Sequence, residues 1–339
     1  MTKKITIAID AMGGENAPKK NIEGLNIFLN KNKLNKDFII HLYGNKKILD
    51  QEILRLNISN DLVKVIHAES VVSDEETPLT AIKNSKNTSM WNSIKAQIDG
   101  EADISLSAGN TGVLFVISKM ILKMMNKVSK PALAGLWPSK KGMSVVLDLG
   151  ANIECDEKNL VDFAEMGAAL FKSIFPNQKP YLSLLNIGSE EIKGTEVLKK
   201  TYTRLKSLSN DKNFLFKGYI EGNKIMDGES NVIVTDGFTG NIALKTAEGT
   251  ANFITEELKK ALTNNIIGKL SGLLNYMNLK KFKKRLDPRL YNGAIFIGLD
   301  SPVIKSHGST DFIGFSNSLT VCEKIVRGDL ITKIKNKIS

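Results

Sequence analysis

Short apolar runs alternate with segments of helical periodicity along most of this 339-residue chain. Residues 5–9, 38–43 and 63–67 have the length and composition of buried strands, and residues 22–29 and 48–54 between them have the apolar spacing of helices. Strands that alternate with helices in this way pair in parallel and place helices on both faces of the sheet. The pattern predicts an α/β fold with a largely parallel sheet.

The alternation continues to the end of the chain. It predicts further strands at residues 102–106, 143–147, 181–187, 214–219, 232–234 and 294–298, and further helices at residues 90–98, 113–125, 160–175, 195–208 and 312–326. The polar segment 70–86 is predicted to be a surface loop that leads to a helix. The chain is long enough for one large or two ordinary domains, and we expect residues 1–339 to form a single α/β domain.

The chain is strongly basic, with a formal net charge of +11 and a pI near 9.3. This balance indicates an acidic partner, which includes nucleic acid, an anionic membrane, an acidic carrier protein and a phosphorylated substrate. Aromatic residues make up only 6% of the chain, and no basic run is interleaved with aromatic side chains. A platform that stacks single-stranded nucleic acid is therefore disfavoured.

Neither a disulfide, a metal site nor a secretion signal is predicted. Cys155 and Cys322 are far apart, and no second Cys or His lies at ligand spacing near either of them. Residues 5–9 are too short for the apolar core of a signal peptide, and the apolar stretch 113–125 is interrupted by lysines and is too short to cross a bilayer. We expect a cytoplasmic protein.

Polar and glycine-rich clusters follow several of the predicted strands. Residues 235–241 follow one strand, residues 107–112 another, and residues 148–152 a third. A strand that runs through such a turn into a helix directs unpaired backbone N–H groups at one point, which is the geometry of a phosphate site. The same residue types are also typical of a well-capped turn without a ligand. Because ligands collect at the carboxyl ends of parallel strands, we expect these clusters to line a single cleft.

Three further stretches have the same character. Two adjacent glycines, Gly13 and Gly14, follow the first strand and allow a ligand to approach the backbone, although a tight turn would also use them. Residues 188–194 follow the strand at 181–187. His307 lies beside Lys305, a glycine and hydroxyl groups, so we favour it as a functional histidine, whereas His41 and His67 lie on strands and are interpreted as structural.

A long helical segment at residues 251–290 carries both apolar and basic side chains. Its apolar residues are three and four apart. Gly268 and Gly272 suggest a break, which predicts an inserted amphipathic helical hairpin. Between residues 256 and 289 there are nine Lys and Arg residues against three acids, a net charge of 9 − 3 = +6. The segment is either a pair of helices with a solvated basic face, or a contact surface for a dimer or an anionic membrane.

The motifs together resemble the bacterial phosphate acyltransferase family PlsX. The resemblance covers most of the chain and rests on six motifs in the family's order, at residues 9–18, 107–112, 147–152, 186–194, 236–241 and 304–308. Glu15 departs from the family pattern, which usually has Asp there, and this puts the geometry of its loop in doubt but not the reaction.

The resemblance implies a three-layer α/β/α sandwich of the isocitrate and isopropylmalate dehydrogenase type, also related to phosphotransacetylase. It implies a homodimer that moves a long fatty acyl group from acyl carrier protein to inorganic phosphate, without a cofactor, and gives acyl phosphate for phospholipid synthesis. It also implies peripheral contact with an anionic membrane and with the downstream acyltransferase, and no nucleic-acid partner. The basic composition agrees with these acidic partners.

Positioning and charge stabilisation dominate this chemistry, because phosphate is already a nucleophile and a thiolate leaves readily. The motifs then suggest a set of catalytic residues that neutralise phosphate and assist the thioester: His307, Lys193, Lys305 and Asn241. His307 or Lys193 would donate a hydrogen bond to the thioester oxygen or protonate the departing sulfur. The predicted substrate-binding residues are Asp10, Gly13, Gly14, Asn16, Ser107, Gly109, Asn110, Thr111, Gly112, Asp148, Asn152, Asp236, Thr239 and Gly240. The three aspartates would orient donors rather than attack.

Two other functions remain open at this point. A nicotinamide-dependent dehydrogenase would share the implied fold, but no strand-linked Gly-x-Gly-x-x-Gly with a downstream acid is evident, and no carboxylate trio has metal spacing. A non-catalytic membrane or nucleic-acid adaptor would use the basic helical segment, but it would not need polar clusters at so many strand ends.

Overall fold

The computed structural model describes residues 4–32, 37–59, 61–73, 75–209 and 214–336. Within these ranges a single sheet has the strand order β3-β2-β1-β4-β11-β10-β5-β6-β9-β7-β8. Its strands are β1 Ile5–Asp10, β2 Phe38–Gly44, β3 Val63–His67, β4 Ile104–Ser107, β5 Ala132–Ser139, β6 Gly142–Leu147, β7 Tyr181–Leu185, β8 Leu215–Ile220, β9 Val232–Val234, β10 Ala294–Ile297 and β11 Val303–Lys305.

Helices connect most of these strands. They are α1 Lys19–Lys31, α2 Lys46–Arg55, α3 Pro78–Asn84, α4 Ser89–Ile98, α5 Thr111–Leu122, α6 Glu157–Ile174, α7 Glu196–Leu208, α8 Gly237–Thr263, α9 Ile266–Leu274, α10 Tyr276–Arg285, α11 Phe312–Arg327 and α12 Leu330–Lys335. Short 3-10 turns occur at Gly222–Asp227 and Pro288–Tyr291.

Alternate residues of the strands pack into hydrophobic cores on opposite faces of the sheet. In β6, Val145 and Leu147 join the core formed with α1, α6 and α11, whereas Val146 joins the core formed with α4 and α5. In β9, Ile233 lies on the same face as Val146. Side chains of a strand point alternately to the two faces, so both faces are covered by helices. The chain therefore has the predicted three layers.

The sheet changes direction in its middle. Strands β1, β4 and β11 pair in parallel, but β10 pairs antiparallel with both β11 and β5, and β5 pairs antiparallel with β6. Strands β6, β9, β7 and β8 are again parallel to one another. Since there are three reversals, β1, β4 and β11 run in the opposite direction to β6, β9 and β7. The two halves are staggered, because Lys305 pairs with Ala294 and Gly135 pairs with Val146, so β11 and β6 end at nearly the same level along the strands. The prediction of a largely parallel sheet holds within each half but not across the centre.

Four elements were not predicted from the sequence. Strand β5 contains Gly135 and Pro138, which weaken the strand signal, and β11 has only three residues. Helix α12 follows α11 after a short break. The segment 70–86, predicted as a loop, contains α3, which begins at Pro78 and is capped by Thr77.

We call residues 251–290 the arm. The break that was predicted at Gly268 and Gly272 is wrong, because both glycines lie inside α9. The chain instead breaks before α9, where the side chain of Asn265 accepts a hydrogen bond from the N–H of Gly268 at 2.7 Å, and again at Asn275. The arm consists of the end of α8, then α9 and α10, so it has three helical pieces instead of two. Among the described residues, no helix is both long and apolar enough to cross a membrane.

Candidate functional site

Three loops meet at the carboxyl ends of β1, β4 and β11. Asp10, Ser107 and Lys305, the last residues of these strands, lie side by side in the strand register. We call the surrounding side chains and loops the first cluster. It contains the first glycine-rich motif, the motif at residues 107–112 and the His307 loop, which the sequence places about 100 and 200 residues apart.

Asp10 holds two of these loops together. Its carboxylate is buried and accepts hydrogen bonds from the hydroxyls of Ser89 at 2.6 Å and Ser107 at 2.7 Å, and from the backbone of Met12 and Gly13. Burial raises the pKa of Asp10, and the donated hydrogen bonds oppose that rise. Asp10 therefore positions the loops, as predicted for an orienting aspartate, and its carboxylate is not open to a nucleophilic role.

The glycines of the first cluster permit a close approach of backbones. A Cβ atom at Gly13 would overlap the Asp10 carboxylate and lie 2.8 Å from the nitrogen of Gly109. Gly14 has φ +88°, and a Cβ there would lie 2.9 Å from the carbonyl oxygen of Ala108 and 3.2 Å from that of Gly308. A side chain would clash at either position, and at Gly14 the positive φ would also be strained. The two glycines therefore allow the three loops to pack closely. Asn16, the last predicted residue of the turn, is exposed and also has positive φ.

Two lysines are buried in the first cluster. Lys305 is 8% exposed, and its Nζ donates to the carbonyl oxygens of Ala108 at 3.3 Å and Ser306 at 2.5 Å. Lys20, in the first turn of α1, is 5% exposed, and its Nζ donates to the carbonyl oxygen of Gly308 at 2.6 Å. Ammonium groups at an enclosed site give it the electrostatics of an anion-binding site.

The ring of His307 is exposed at the mouth of the first cluster. The hydroxyl of Ser309 lies 3.0 Å from Nδ1 of His307. Partial loss of solvent lowers the pKa of His307, the charges of Lys305 and Lys245 lower it further, and Glu248 and Glu15 act in the opposite direction. The imidazole is therefore mainly neutral at pH 7. When Ser309 donates to Nδ1, the ring carries its proton on Nε2 as a hydrogen-bond donor.

The backbone of His307 is fixed by Asn292, which lies just after the arm. The side-chain oxygen of Asn292 accepts from the N–H of His307 at 2.9 Å, and its nitrogen donates to the Ser306 hydroxyl at 2.9 Å. Arg289 forms a second link from the end of the arm, to Asp311 at 2.8 Å. These contacts tie the His307 loop to the residues that follow the arm.

The start of α5 borders the first cluster but is partly covered. The side-chain oxygen of Asn110 caps the N–H of Val113 at 3.2 Å, and its nitrogen donates to the carbonyl oxygen of Glu76 at 3.3 Å. A Cβ at Gly112 would lie 3.1 Å from the ring of Pro78, while Thr111 is exposed. The predicted phosphate donors of this turn therefore face the segment that contains α3.

A second cluster lies where β6, β9 and β7 end. Buried Asp148 accepts hydrogen bonds there from the backbone nitrogens of Leu133, Gly150, Ala151 and Asn152 and from the side chain of Asn152. Burial raises its pKa, and these donors oppose the rise. Asp148 thus shapes the loop at residues 148–152, and Asn152 is occupied in holding that loop.

The turn into α8, predicted as a phosphate site, is closed by its own hydrogen bonds. Asp236 accepts from the backbone nitrogen and the hydroxyl of Thr239, both at 2.8 Å. The N–H of Gly237 donates to the carbonyl oxygen of Asn152 at 2.8 Å. A Cβ at Gly240 would overlap the backbone oxygen of Asp148. The contacts described for this turn are those of a well-capped helix packed closely on the neighbouring loop.

Lys193 and Asn241 also belong to the second cluster. Asn241 donates to the carbonyl oxygen of Leu149 at 3.2 Å, and the carbonyl oxygen of Lys193 accepts from Asn186 at 3.2 Å. Cys155 lies near Asp148 and Asp236, where burial first and Asp148 second raise its pKa to about 12. Cys322 is fully buried in α11, and burial raises the pKa of its thiol as well.

The two clusters lie about 14 Å apart across the three strand steps from β11 to β6. Lys305 pairs with Ala294, Ile295 with Ala134, and Gly135 with Val146, so β11 and β6 end within about one residue, roughly 3 Å, of the same level along the strands. Helix α8, which begins in the second cluster, also carries Lys245 and Glu248, whose charges act on His307. The single cleft stays a prediction. The structure brings together Asp10, Gly13, Gly14, Ser107, Gly109, Lys305 and His307, and separately brings together Asp148, Asn152, Lys193, Asp236, Thr239, Gly240 and Asn241. Strands β10 and β5 lie between the two clusters.

Three residues of the first cluster were missed by the sequence reasoning. Ser89 and Asn292 carry no local signal, because their partners are distant in sequence. Lys20 does carry a local signal, because a lysine in the first turn of a helix interacts unfavourably with the positive end of the helix dipole.

The sequence matches a family model described as "Fatty acid synthesis protein" over residues 5–333. It is 60% identical over 338 residues to the phosphate acyltransferase of Pelagibacter ubique (strain HTCC1062), with 100% of each chain covered. It is 42% identical over 339 residues to the phosphate acyltransferase of Parvibaculum lavamentivorans, with 98% of this chain and 91% of the relative covered.

Solved structures with low sequence identity share the fold. A phosphotransacetylase from Streptococcus pyogenes superposes with a TM-score of 0.62 at 14% identity, over 96% of this chain and 95% of the other. The 4-hydroxythreonine-4-phosphate dehydrogenase of Klebsiella pneumoniae superposes with a TM-score of 0.54 at 10% identity, over 96% and 99% of the two chains. The dehydrogenase-like α/β/α sandwich predicted from the sequence is confirmed.

Proposed function

This chain belongs to the family of fatty acid synthesis proteins, and we propose that it moves a long fatty acyl group from acyl carrier protein to inorganic phosphate. The product is an acyl phosphate for phospholipid synthesis. The name phosphate acyltransferase, which its full-length relatives carry, supports the reaction type. The protein is accordingly an acyltransferase, and neither a dehydrogenase nor a non-catalytic adaptor is favoured.

The reaction needs an anion site and a hydrogen-bond donor, and no nucleophile from the protein. An oxygen of phosphate attacks the thioester carbonyl carbon, a C–O bond forms, and the C–S bond breaks. The electron pair of that bond leaves on the sulfur of the carrier as a thiolate, which is then protonated. Holding phosphate against the thioester and stabilising the negative charge on the carbonyl oxygen supply most of the rate enhancement.

The first cluster is the place for this chemistry. The observation that carries the assignment is buried Lys305 next to exposed His307, on a loop packed against two glycine-rich turns. Lys305 would neutralise phosphate, and Nε2–H of His307 would donate to the thioester oxygen. Asp10 and Ser107 would hold the loops in place. Lys193 and Asn241 lie in the second cluster, and their part in neutralising phosphate stays a prediction.

Release of free thiol is the direct test of this function. Incubation of the protein with acyl carrier protein thioester should release thiol only when inorganic phosphate is present, because phosphate is the attacking group. The same mixture without phosphate is the control. Equal release in both mixtures would mean hydrolysis instead of acyl transfer and would contradict the proposal. An absorbance change with a nicotinamide cofactor and a hydroxy acid would instead favour the dehydrogenase.

We propose that the arm contacts the anionic membrane. A contact between the two chains of a homodimer is a second proposal for the same segment. Helix α9 buries none of its residues, and its apolar side chains include Ile266 at 84% and Ile267 at 80% exposed. The following helix α10 carries Lys280, Lys281 and Lys283. Exposed apolar side chains next to lysines suit the boundary between acyl chains and anionic head groups. Product would then be released close to the membrane and the downstream acyltransferase.

Reversal of charge on α10 should weaken membrane binding. Replacing Lys280, Lys281 and Lys283 by Glu should lower co-sedimentation with anionic vesicles by about tenfold or more, because each lysine near such a surface contributes about 1 kcal/mol. The matched control reverses three exposed lysines elsewhere, Lys46, Lys47 and Lys64. An equal loss in both variants would indicate an effect of net charge alone, and unchanged sedimentation of the α10 variant would remove the membrane role from this helix.

A further inference from the structure

We propose that Lys245 of helix α8 is a further substrate-binding residue, and that its ammonium group binds a phosphate group between the first and second clusters. The nature of this ligand rests on the proposed function. The sequence motifs assigned no role to Lys245. Its position on α8, relative to both clusters, is the reason for the assignment.

One turn of α8 separates Lys245 from the second cluster. The start of the helix is fixed in that cluster, because the side chain of Asn241 donates to the carbonyl oxygen of Leu149 at 3.2 Å and Gly240 packs closely on the backbone of Asp148. Lys245 follows Asn241 by four residues, which places it on the same side of the helix and about 6 Å further along the axis. Lys245 therefore lies at the border of the second cluster.

The same turn of α8 is anchored on the centre of the sheet. Ala243, Leu244 and Ala247 pack against a hydrophobic core that includes Phe296 of β10 and Val303 of β11. These strands lie between the two clusters or end in the first cluster. The turn that carries Lys245 thus has a fixed position over the region between the clusters.

The first cluster lies close to this turn as well. The charged groups that act on the ring of His307 include two from the first cluster and two from α8, namely Lys305, Glu15, Lys245 and Glu248. Charges interact through water over only about 8–10 Å at ordinary ionic strength, so this turn of α8 lies near the imidazole. Lys245 therefore borders both clusters.

The ammonium group of Lys245 is accessible to a ligand. Its Nζ forms an ion pair with Oε2 of Glu248 at 2.8 Å, and the two side chains are 56% and 37% exposed. A lysine ammonium has three donors, and an exposed ion pair of this kind is weak. A phosphate group can therefore bind the remaining donors through charge-assisted hydrogen bonds without the loss of Glu248.

A phosphate group is the ligand that suits this position. Lys245 and Lys305 act on His307, the proposed donor to the thioester oxygen, from two different elements of the fold. Their positive charges attract an anion that approaches the thioester. In the proposed reaction two phosphate groups come near it, inorganic phosphate and the phosphodiester of the carrier's pantetheine arm, and both present charged oxygens to a lysine.

Titration of His307 tests the position of Lys245 independently of the reaction. The chain has three histidines, so the ring signal of His307 can be identified in NMR spectra by its loss in His307→Ala. Lys245→Met should raise the pKa of His307, because it removes a nearby positive charge. Lys95→Met is the matched control, since Lys95 is also exposed and paired with an acid one turn further along, Asp99, but lies on α4. The same pKa of His307 in both variants would contradict the placement of Lys245 and the proposal with it.

Initial rates then test the ligand and identify its source. Lys245 is exposed and methionine is a good helix former, so Lys245→Met should fold. If Lys245 binds inorganic phosphate, Lys245→Met should raise the KM for phosphate about tenfold and leave the KM for the carrier thioester within about twofold. If it binds the phosphodiester of the pantetheine arm, the KM for the carrier thioester should rise instead. Lys245→Arg keeps the charge and should recover most of the lost affinity, whereas Lys95→Met should change neither constant. Unchanged values of both constants in Lys245→Met would overturn the proposal.

Failure of this inference and failure of the proposed function give different results. If the wild type releases no thiol with phosphate, the proposed function is contradicted, and a thermal titration with inorganic phosphate decides the role of Lys245. Phosphate should raise the Tm of the wild type above that in sodium chloride of equal ionic strength, because a ligand that binds the folded state stabilises it. Lys245→Met should need about tenfold more phosphate for the same rise. An equal response of both proteins to phosphate would rule out the site.

Discussion

Replacement of His307 by Ala is expected to lower turnover by on the order of a hundredfold or more, because the thioester oxygen loses a hydrogen-bond donor in the transition state. The measurement is thiol release from acyl carrier protein thioester at saturating phosphate. His307 is exposed, and the hydrogen bond described for its side chain is the one with Ser309. Near-wild-type turnover would remove His307 from the reaction.

The pH dependence separates the two roles that are open to His307. Burial and the nearby lysines lower its pKa, so the protonated form is the minority above pH 6.5 and its share falls further as the pH rises. A role as the acid that protonates sulfur would make the advantage of the wild type over His307→Ala decline between pH 6.5 and 8.5. As a neutral donor through Nε2–H, His307 should keep that advantage constant to within about twofold. His307→Gln, which retains an N–H donor, should recover part of the lost activity.

The second large effect is expected at Gly240. A Cβ there would overlap the backbone oxygen of Asp148 and lie 2.9 Å from the Thr235 side chain. Neither neighbour is the end of a flexible side chain, since Asp148 is fixed by several hydrogen bonds and Thr235 is buried. Gly240→Ala should therefore lower the free energy of unfolding by about 3 kcal/mol, measured by urea denaturation followed by circular dichroism.

The same helix offers a matched control. Gly249 also lies in α8, but a Cβ there would have no atom within 4 Å. Gly249→Ala should stabilise the protein by roughly 0.5–1 kcal/mol, because alanine is the better helix former. If Gly240→Ala behaved like Gly249→Ala, the close packing of α8 on the loop at residues 148–152 would be contradicted.

The sequence was sufficient for most strands and helices, because their periodicity is local. The segments that form β1, β2 and β6 are rich in β-branched and other apolar residues and are bounded by polar turns. The reversal of the sheet was not predictable in the same way. It depends on β5, in which Gly135 and Pro138 weaken the sequence signal for a strand, and on β11, which has only three residues.

The candidate site was predictable only in part for the same reason. Motifs named most residues of both clusters, but the strand directions and the stagger that place the two clusters relative to each other depend on β5 and β10. Lys20 meets Gly308 across 288 positions of sequence, and Asn292, which follows the arm, contacts His307. Contacts of this kind depend on the tertiary packing of loops, which a local sequence pattern does not predict.

The two thiols of the chain have a consequence for how its chemistry can be followed. Cys155 has a pKa of about 12, and Cys322 is fully buried, so neither is a thiolate near neutral pH. Because only the thiolate reacts with disulfide and maleimide reagents, the protein contributes a low background to a thiol titration. The colour that develops in such a titration then counts the pantetheine sulfur released from the carrier, one for each acyl group that has left it.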